Sequence, residues 1–389
     1  LRVAVRTGDT SPAERQALVK RPPHILITTP ESLNLLVTSN ARQTLTRLRW
    51  CIIDEIHVLC PNKRGVFLAL LLERLSALQA AGDFVRVGLS ATQRPLEEVA
   101  SYLGGVGRPV PIVDAGLRKN LDLRVDSPVE AFGPQVERSV WPAIYRYLLD
   151  QIRRHRSTLI FANNRRTVER VANELNELAA QTLDPEAGPL APIRPHHGSL
   201  SQEVRLATEQ ALKMGELSAV VATASLELGI DMGAVDLVCQ VESAGNIARG
   251  LQRVGRAGHL VGQTSKGRLV PKTPADLLEA AVLAREMTAG QVENLQVPTN
   301  CLDVLAQQIV AMVAVESWSV AELFKLLRRA YPYRDLSAEA LEGVLEMLAG
   351  RFPDETFRDL KARISWDRVN NRLHALPGSK QLALINGGT

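Results

Sequence analysis

The stretch CIIDEIHVLC, residues 51–60, sets a short apolar run against two adjacent carboxylates, Asp54 and Glu55. The four residues Trp50 to Ile53 fit a buried strand, which places both acids at its C-terminal end. In open α/β sheets ligands bind at that end. A carboxylate pair there suits a divalent cation and an activated water, and it works opposite a phosphate-cradling loop, G-x-x-x-x-G-K-[ST]. No such loop occurs in the 389 residues. Taken alone, the pair reads equally well as two acids capping the next turn.

Outward from this stretch, short apolar runs alternate with amphipathic segments, the pattern of a parallel sheet flanked by helices. RVAVRTG, HILITTP, WCIIDE and VRVGLSAT read as strands of a first set. GVFLALLLERLSALQAAG reads as a helix with an almost continuous apolar face, ending at Gly82. STLIFAN, SAVVATAS and VDLVCQVE form a second set. Between the sets, GGVGRPVPIVDAGLRKNLDL is rich in Gly and Pro and reads as an interdomain linker. After about residue 275, CLDVLAQQIVAMVAVE, SVAELFKLLRRA and SAEALEGVLEMLAGR have the spacing of three amphipathic helices. ALPGSKQLALINGG then reads as a hairpin, complete or partial, which suggests a winged-helix type of module.

Length and composition bound this picture. A chain of 389 residues exceeds one ordinary core, so two or three domains are expected. A charged fraction of 23% and a hydrophobic fraction of 46% exclude a mostly disordered chain. The net charge of +4 permits a nucleic-acid partner without requiring one. Cys51, Cys60, Cys239 and Cys301 make no C-x-x-C pair and sit among apolar neighbours, so they read as reduced, buried thiols in a cytoplasmic protein. No apolar run approaches the ~18 residues of a membrane span. The chain opens on strand-like sequence without Met and closes on GGT, so both ends read as cuts within recognisable units.

DEIH at 54–57, SAT at 90–92 and QRVGRAGH at 252–259 occur in that order on the two α/β sets. This constellation resembles the superfamily 2 helicases of DEAD/DEAH-box type. TTPESL, GLSAT, ASLELGID and LPGSKQLALINGGT match the flavour of the large helicase-related (Lhr) family within it. The resemblance covers essentially the whole chain. It implies an incomplete first RecA-like domain over residues 1–115, a second over 116–275 and a winged-helix-like domain over 276–389. It also implies ATP and Mg²⁺ as cofactors, and single-stranded DNA with DNA or RNA:DNA duplex as partners, in DNA repair and away from membranes.

Residue by residue, the resemblance assigns Asp54 to Mg²⁺ through water and Glu55 to the attacking water. His57 contacts the neighbouring signal segment. Ser90 and Thr92 follow the strand VRVGL, and their hydroxyls are expected to bond back to the carboxylates of DEIH. Arg256 is expected to be the arginine finger, with Gln252 and Arg253 supporting it. His259 stands where related helicases often carry a second arginine. Gly229 and Asp231 are expected to face the nucleotide. Backbone contacts to nucleic acid fall on Thr7, Gly8, Asp9, Thr29, Pro30 and Glu31 in the first set. In the second they fall on Asn163, Arg165, Arg166, His197, Gly198, Thr223 and Ser225. Small hydroxyls and backbone N–H groups at strand–helix turns suit phosphate oxygens. Singly, each of these is an ordinary turn or cap residue. Tyr331, Tyr333, Lys325, Arg328 and Arg329 also read as candidates, but at helical spacing they read better as a packed and solvated helix.

Phosphoryl transfer is mostly positioning and electrostatic stabilisation. Without the loop, three or more charge-assisted hydrogen bonds worth ~1.5–3 kcal/mol each are missing. The expectation is therefore a piece of a longer ATP-dependent helicase, with an N-terminal helicase segment and C-terminal domains outside it and little ATPase activity of its own. The alternative is an ATP-independent module that clamps nucleic acid with RecA-like lobes.

Overall fold

The computed structural model describes residues 1–80, 82–91, 93–114, 120–132, 140–182, 190–227, 235–258, 263–351 and 361–385. They form two compact units, Leu1–Val113 with Asn294–Thr389, and Asp114–Glu293.

The first unit begins with two parallel strand pairs and their helices. β1 (Val3–Arg6), α1 (Pro12–Lys20), β2 (Ile25–Thr28) and α2 (Pro30–Val37) are followed by β3 (Trp50–Ile53) and the single turn α3 (Ile56–Leu59). Next come α4 (Lys63–Ala77), β4 (Val85–Gly88) and α5 (Leu96–Gly104). β1 pairs with β2 and β3 with β4, both in parallel. The expected helix before Gly82 stops earlier, with Leu78 as its C-cap. Val3, Val5, Ile25, Ile27, Trp50, Ile52 and Val85 on these strands are exposed. The opposite faces of the two strand pairs are occupied: Leu26 and Cys51 pack on the cluster that takes in α4, which is buried from Gly65 to Leu75.

Among those buried residues are two charges. Arg74 donates to Asn34 Oδ1 (2.9 Å), Gln308 Oε1 (2.8 Å) and Thr38 Oγ1 (3.1 Å), all neutral oxygens. Glu73 receives three arginines, Arg86, Arg108 and Arg329. Residues beyond Asn294 thus share one core with α2 and α4, and Leu305, Ile309, Leu323, Leu327 and Tyr333 belong to it.

The second unit is a six-stranded parallel sheet in the order β5-β10-β9-β6-β8-β7. In chain order it runs β5 (Leu121–Val125), α6 (Trp141–Arg153), β6 (Thr158–Phe161), α7 (Arg165–Gln181), β7 (Ile193–His196) and α8 (Gln202–Lys213). It continues through β8 (Ala219–Ala222), β9 (Leu237–Val241), α9 (Ile247–Val254), β10 (Ser265–Val270) and α10 (Pro274–Ala289). Buried clusters pack on both faces of the sheet, so β8 reads as an unbroken apolar run, and β6 and β9 depart from one only at Thr158 and Gln240. The expected linker is shorter than its composition suggested. Its last residues form β5, whose backbone groups find partners along β10.

The chain from Leu302 builds α11 (Leu302–Val313), β11 (Trp318–Ser319), α12 (Val320–Leu327), α13 (Ala338–Leu348), β12 (Ile364–Asp367), β13 (Arg372–Ala375) and α14 (Ser379–Ile385). β11, β13 and β12 form a small antiparallel sheet, so helices plus a β wing are present. The hairpin is misplaced in the sequence reading. It lies at 364–375, and Ser379–Ile385 within the expected hairpin is helical. Gly378, at φ +86°, takes the left-handed backbone that lets the chain turn into that helix. All four cysteines are free thiols, and burial pushes those of Cys60 and Cys239 up to about 12. No helix among the described residues is long and apolar enough to cross a membrane.

Candidate nucleotide and nucleic-acid site

Asp54 and Glu55 do lie at the C-terminal end of β3. Asp54 is exposed, and its Oδ1 accepts the amide of Glu55 at 3.0 Å. Glu55 holds φ 49° and ψ 41°, a left-handed conformation that costs a residue with a Cβ about 1 kcal/mol or more. That geometry turns the chain sharply from strand into α3 and sets the Glu55 carboxylate 3.5 Å from Nε2 of His57. His57 is buried, and desolvation holds its ring below the ordinary histidine range, although Asp54 pulls the other way.

The His57 tautomer follows from its partners. The Ala91 amide donates to Nδ1 at 3.2 Å, so Nδ1 carries the lone pair. The proton then sits on Nε2, facing Glu55. Ser90 Oγ is 3.3 Å from the same Nδ1 and donates to Ala91 O. This corrects the expectation for Ser90: its hydroxyl meets the histidine of DEIH, because β4 pairs with β3 in register and brings Leu89–Ala91 over α3. Thr92 lies outside the described residues.

Among the described residues no group of three or more His, Cys, Asp or Glu side chains could hold a metal ion. Mg²⁺ needs no such cage. It keeps several waters and takes one or two carboxylates plus substrate phosphates. The exposed Asp54 at a strand end fits that requirement.

The other first-unit candidates are turn residues with specific duties. The Thr7 amide donates to Thr10 Oγ1, closing the turn after β1, and Gly8 and Asp9 are exposed on it. Thr29 caps α2 by accepting the Ser32 amide, with Pro30 at its first turn. Glu31 is held by both Arg64 Nε (2.6 Å) and Nη2 (3.1 Å), and this pairing lowers its pKa. A carboxylate so engaged positions α2 against α4 and is not a phosphate ligand.

In the second unit, candidates follow the C-terminal ends of the adjacent strands β6, β7 and β8. After β6, Asn163 donates to Ser243 O (2.9 Å) while Asn164 caps α7, so Arg165 and Arg166 start that helix exposed. After β7 come His197, paired with Glu169 at 2.7 Å, and the exposed Gly198. After β8, Thr223 and Ser225 are half-buried. Ser225 Oγ lies 2.8 Å from Nδ1 of His196, whose Nε2 lies 2.9 Å from Glu209. His196 and Glu209 were missed by sequence reasoning. The doublet His196–His197 was visible, but only the packed structure shows both rings buried, each beside a glutamate.

QRVGRAGH straddles the end of α9. Arg253 is buried, donating to Glu227 Oε2 (3.1 Å) and Gln240 Oε1 (2.7 Å). It therefore braces the loop after β8 from within. Gln252 and Arg256 are half-buried. Arg256 sits on the turn after α9, fixed by a bridge between Ala257 and Val235. At Gly258, φ is +63° and a Cβ would lie 2.8 Å from Thr264 O, so only glycine closes this turn. Gly229, Asp231 and His259 lie outside the described residues.

Of the remaining basic and aromatic candidates, Lys325 and Arg328 are exposed, and the other three are engaged. Tyr333 is buried and donates to Cys301 O, Tyr331 donates to Glu98, and Arg329 reaches Glu73.

Three family models match successive parts of the chain. They are the DEAD/DEAH box helicase over 1–99, the helicase conserved C-terminal domain over 141–260, and the winged helix domain of large helicase-related protein over 285–389. An Lhr helicase/probable uracil glycosylase of Mycolicibacterium smegmatis is 45% identical over 99% of this chain and 27% of its own length. An ATP-dependent helicase Lhr-Core of Saccharolobus solfataricus is 43% identical over 100% of this chain and 44% of its own. The solved structure of Mycobacterium smegmatis helicase Lhr bound to ssDNA and AMP-PNP matches with a TM-score of 0.91 and 47% identity. That match covers 100% of this chain and 49% of the other. The chain thus spans between about a quarter and half of the relatives it matches.

Proposed function

The chain belongs to the large helicase-related (Lhr) family of superfamily 2 helicases, and from that premise we propose that it is the motor segment of an ATP-dependent helicase. The protein would couple ATP hydrolysis to movement on single-stranded DNA and to unwinding of DNA or RNA:DNA duplexes, in DNA repair. The observation that carries this reading is the pair Asp54–Glu55 at a strand end, with Glu55 locked beside a neutral His57. In domain terms the proposal is a RecA-like domain over 1–115, a second over 116–275 and a winged-helix-like domain over 276–389.

Within this reading Glu55 orients or deprotonates the attacking water. Nε2–H of His57 steadies the Glu55 carboxylate, keeping it directed. Asp54 holds Mg²⁺ through water, and the ion when bound neutralises charge on the phosphates. Arg256 contributes a guanidinium to the transferring phosphoryl group, with Gln252 beside it on α9. Thr7, Gly8, Asp9, Thr29 and Pro30 contact the nucleic-acid backbone, as do Asn163, Arg165, Arg166, His197, Gly198 and Thr223. Backbone contacts position a strand without reading its sequence, as a translocating motor requires.

The phosphate-cradling loop is not among these residues, so hydrolysis is proposed for a protein that includes it. The test is strand-stimulated ATP hydrolysis in such a protein. Glu55→Gln is expected to bind single-stranded DNA normally and lose hydrolysis. Retained hydrolysis would sink the role of Glu55. For the chain alone, the missing loop favours the second reading, an ATP-independent clamp on nucleic acid. A nucleotide titration of this polypeptide is expected to show little or no ATP binding.

A further inference from the structure

Residues 86–108 include Ser90 and Ala91, which hold His57, and this segment is gripped from several sides. At one end Arg86 on β4 places Nη1 2.9 Å from Oε1 of Glu73, a carboxylate only 1% exposed. At the other end Arg108 reaches Glu73 with two nitrogens, at 2.9 and 3.0 Å. The third cation on Glu73 comes from beyond Asn294: Arg329 Nε lies 2.9 Å from Oε2. The Val106 amide donates to Arg329 O at 2.8 Å. Gly105 passes so close that a Cβ there would lie 2.6 Å from Arg329 O and 2.9 Å from Glu73 Oε1.

The middle of the segment is tied as well. The Leu295 amide donates to Arg94 O at 2.7 Å, and Tyr331 Oη donates to Glu98 Oε2 at 2.7 Å. A loop leaving a strand is ordinarily the freest part of an α/β unit. Here both ends of the segment converge on one buried carboxylate, and its middle is stitched to residues 294–331. Buried, fully paired polar networks specify one arrangement against near alternatives.

We infer that the winged-helix-like module positions the Ser90–Ala91 turn against His57. Tyr331 and Arg329 act from the module, and Glu98 and Glu73 receive them. None of these four touches the carboxylate pair. They act through residues 86–108, by keeping the Ala91 amide on Nδ1 and hence the ring proton on Nε2. The importance of that proton rests on the role proposed above for Glu55, whereas the positioning itself does not.

The experiment uses the whole 389-residue chain, labelled with ¹⁵N in histidine and alanine, with neither nucleotide nor nucleic acid. Tyr331→Phe removes one oxygen, and Arg329→Gln removes one cation from Glu73. In the combined variant the Ala91 amide should exchange with solvent about five- to tenfold faster, the equivalent of one net hydrogen bond. The His57 ring nitrogens should move from the Nε2–H pattern toward tautomer averaging. Arg368→Ala is the control. It breaks contacts to Glu342 and Glu346 inside the module and should leave both signals in place. Unchanged His57 and Ala91 signals in the combined variant overturn the inference. Equal changes in Arg368→Ala also overturn it, because they would report general loosening. If Arg329→Gln prevents folding, Tyr331→Phe carries the test alone, with the same signals and outcomes. Because no hydrolysis is measured, a negative result here leaves the assay of Glu55 standing, and the reverse holds too.

Discussion

The amide of Ala91 lies 3.2 Å from Nδ1 of His57, and this contact assigns the proton of a buried imidazole. An N–H donor needs a lone pair opposite it, so His57 is neutral with its hydrogen on Nε2, toward Glu55. Protonating the ring would set two donors against each other.

A pH dependence of stability follows. Burial lowers the pKa of His57, and that of His196 in the same direction despite its contact with Glu209. As pH falls below about 6.5 the unfolded chain takes up these protons first. The stabilisation is therefore complete above about 6.5 and is lost progressively as pH falls toward the lower folded-state values. Urea midpoints at about pH 7.5 and 5.5 check the sign, and a midpoint that rises on acidification would refute it.

Arg256→Ala in a protein that includes the phosphate-binding loop should lower strand-stimulated turnover by about 10³-fold or more, the usual size of an arginine-finger effect. Nucleic-acid binding should change far less. Equal loss of both, measured by steady-state hydrolysis and fluorescence anisotropy, would identify Arg256 as a strand contact instead.

Gly105 and Gly107 both hold a positive φ, +75° and +77°, but have different surroundings. Gly105→Ala must displace Arg329 O or Glu73, whereas a Cβ at Gly107 meets nothing within 4 Å. Both variants carry a positive-φ backbone cost of about 1 kcal/mol or more. Only Gly105→Ala should lose a further ~1–3 kcal/mol from overpacking. Denaturant melts of the two variants, side by side, separate these terms.

Arg74→Leu removes a buried cation and leaves Gln308 Oε1 and Thr38 Oγ1 without their donor, while Asn34 Oδ1 keeps only Gln308 Nε2 at 3.2 Å. An abandoned buried polar group costs ~1–3 kcal/mol, so a loss of about 3 kcal/mol or more is expected. Adding Gln308→Leu and Asn34→Leu should recover much of it, since apolar replacement of these three leaves only the Thr38 hydroxyl without its donor. Additive losses across the three substitutions, read from urea midpoints, would contradict this.

Periodicity and order were enough for the architecture. Largely apolar runs marked β3, β6, β8 and β9, the alternation around Arg86 marked β4, and capping residues such as Thr29, Asn62 and Asn164 started helices where hydroxyl or amide side chains could satisfy free amides. The position of Asp54 and Glu55 at a strand end was equally legible, because strand length and the acids are adjacent in sequence. β5 and the wing hairpin were not, because an edge strand of five residues and a short antiparallel pair look like loops until their partners are known.

The polar hubs depended on tertiary structure alone. Glu73 and Arg74 interrupt an otherwise apolar helix, and on a helical wheel they resemble a solvent-facing pair. They are buried because α4 is enclosed from several sides, and Gln308, one partner of Arg74, lies 234 residues away. The same holds for Arg253, which packing placed under a loop, and for His196 and His197, which packing buried beside Glu209 and Glu169. Local sequence sets which backbone a segment prefers. Whether a charge on it meets water, a ligand or another buried charge is set by desolvation, and desolvation exists only once distant segments have packed together.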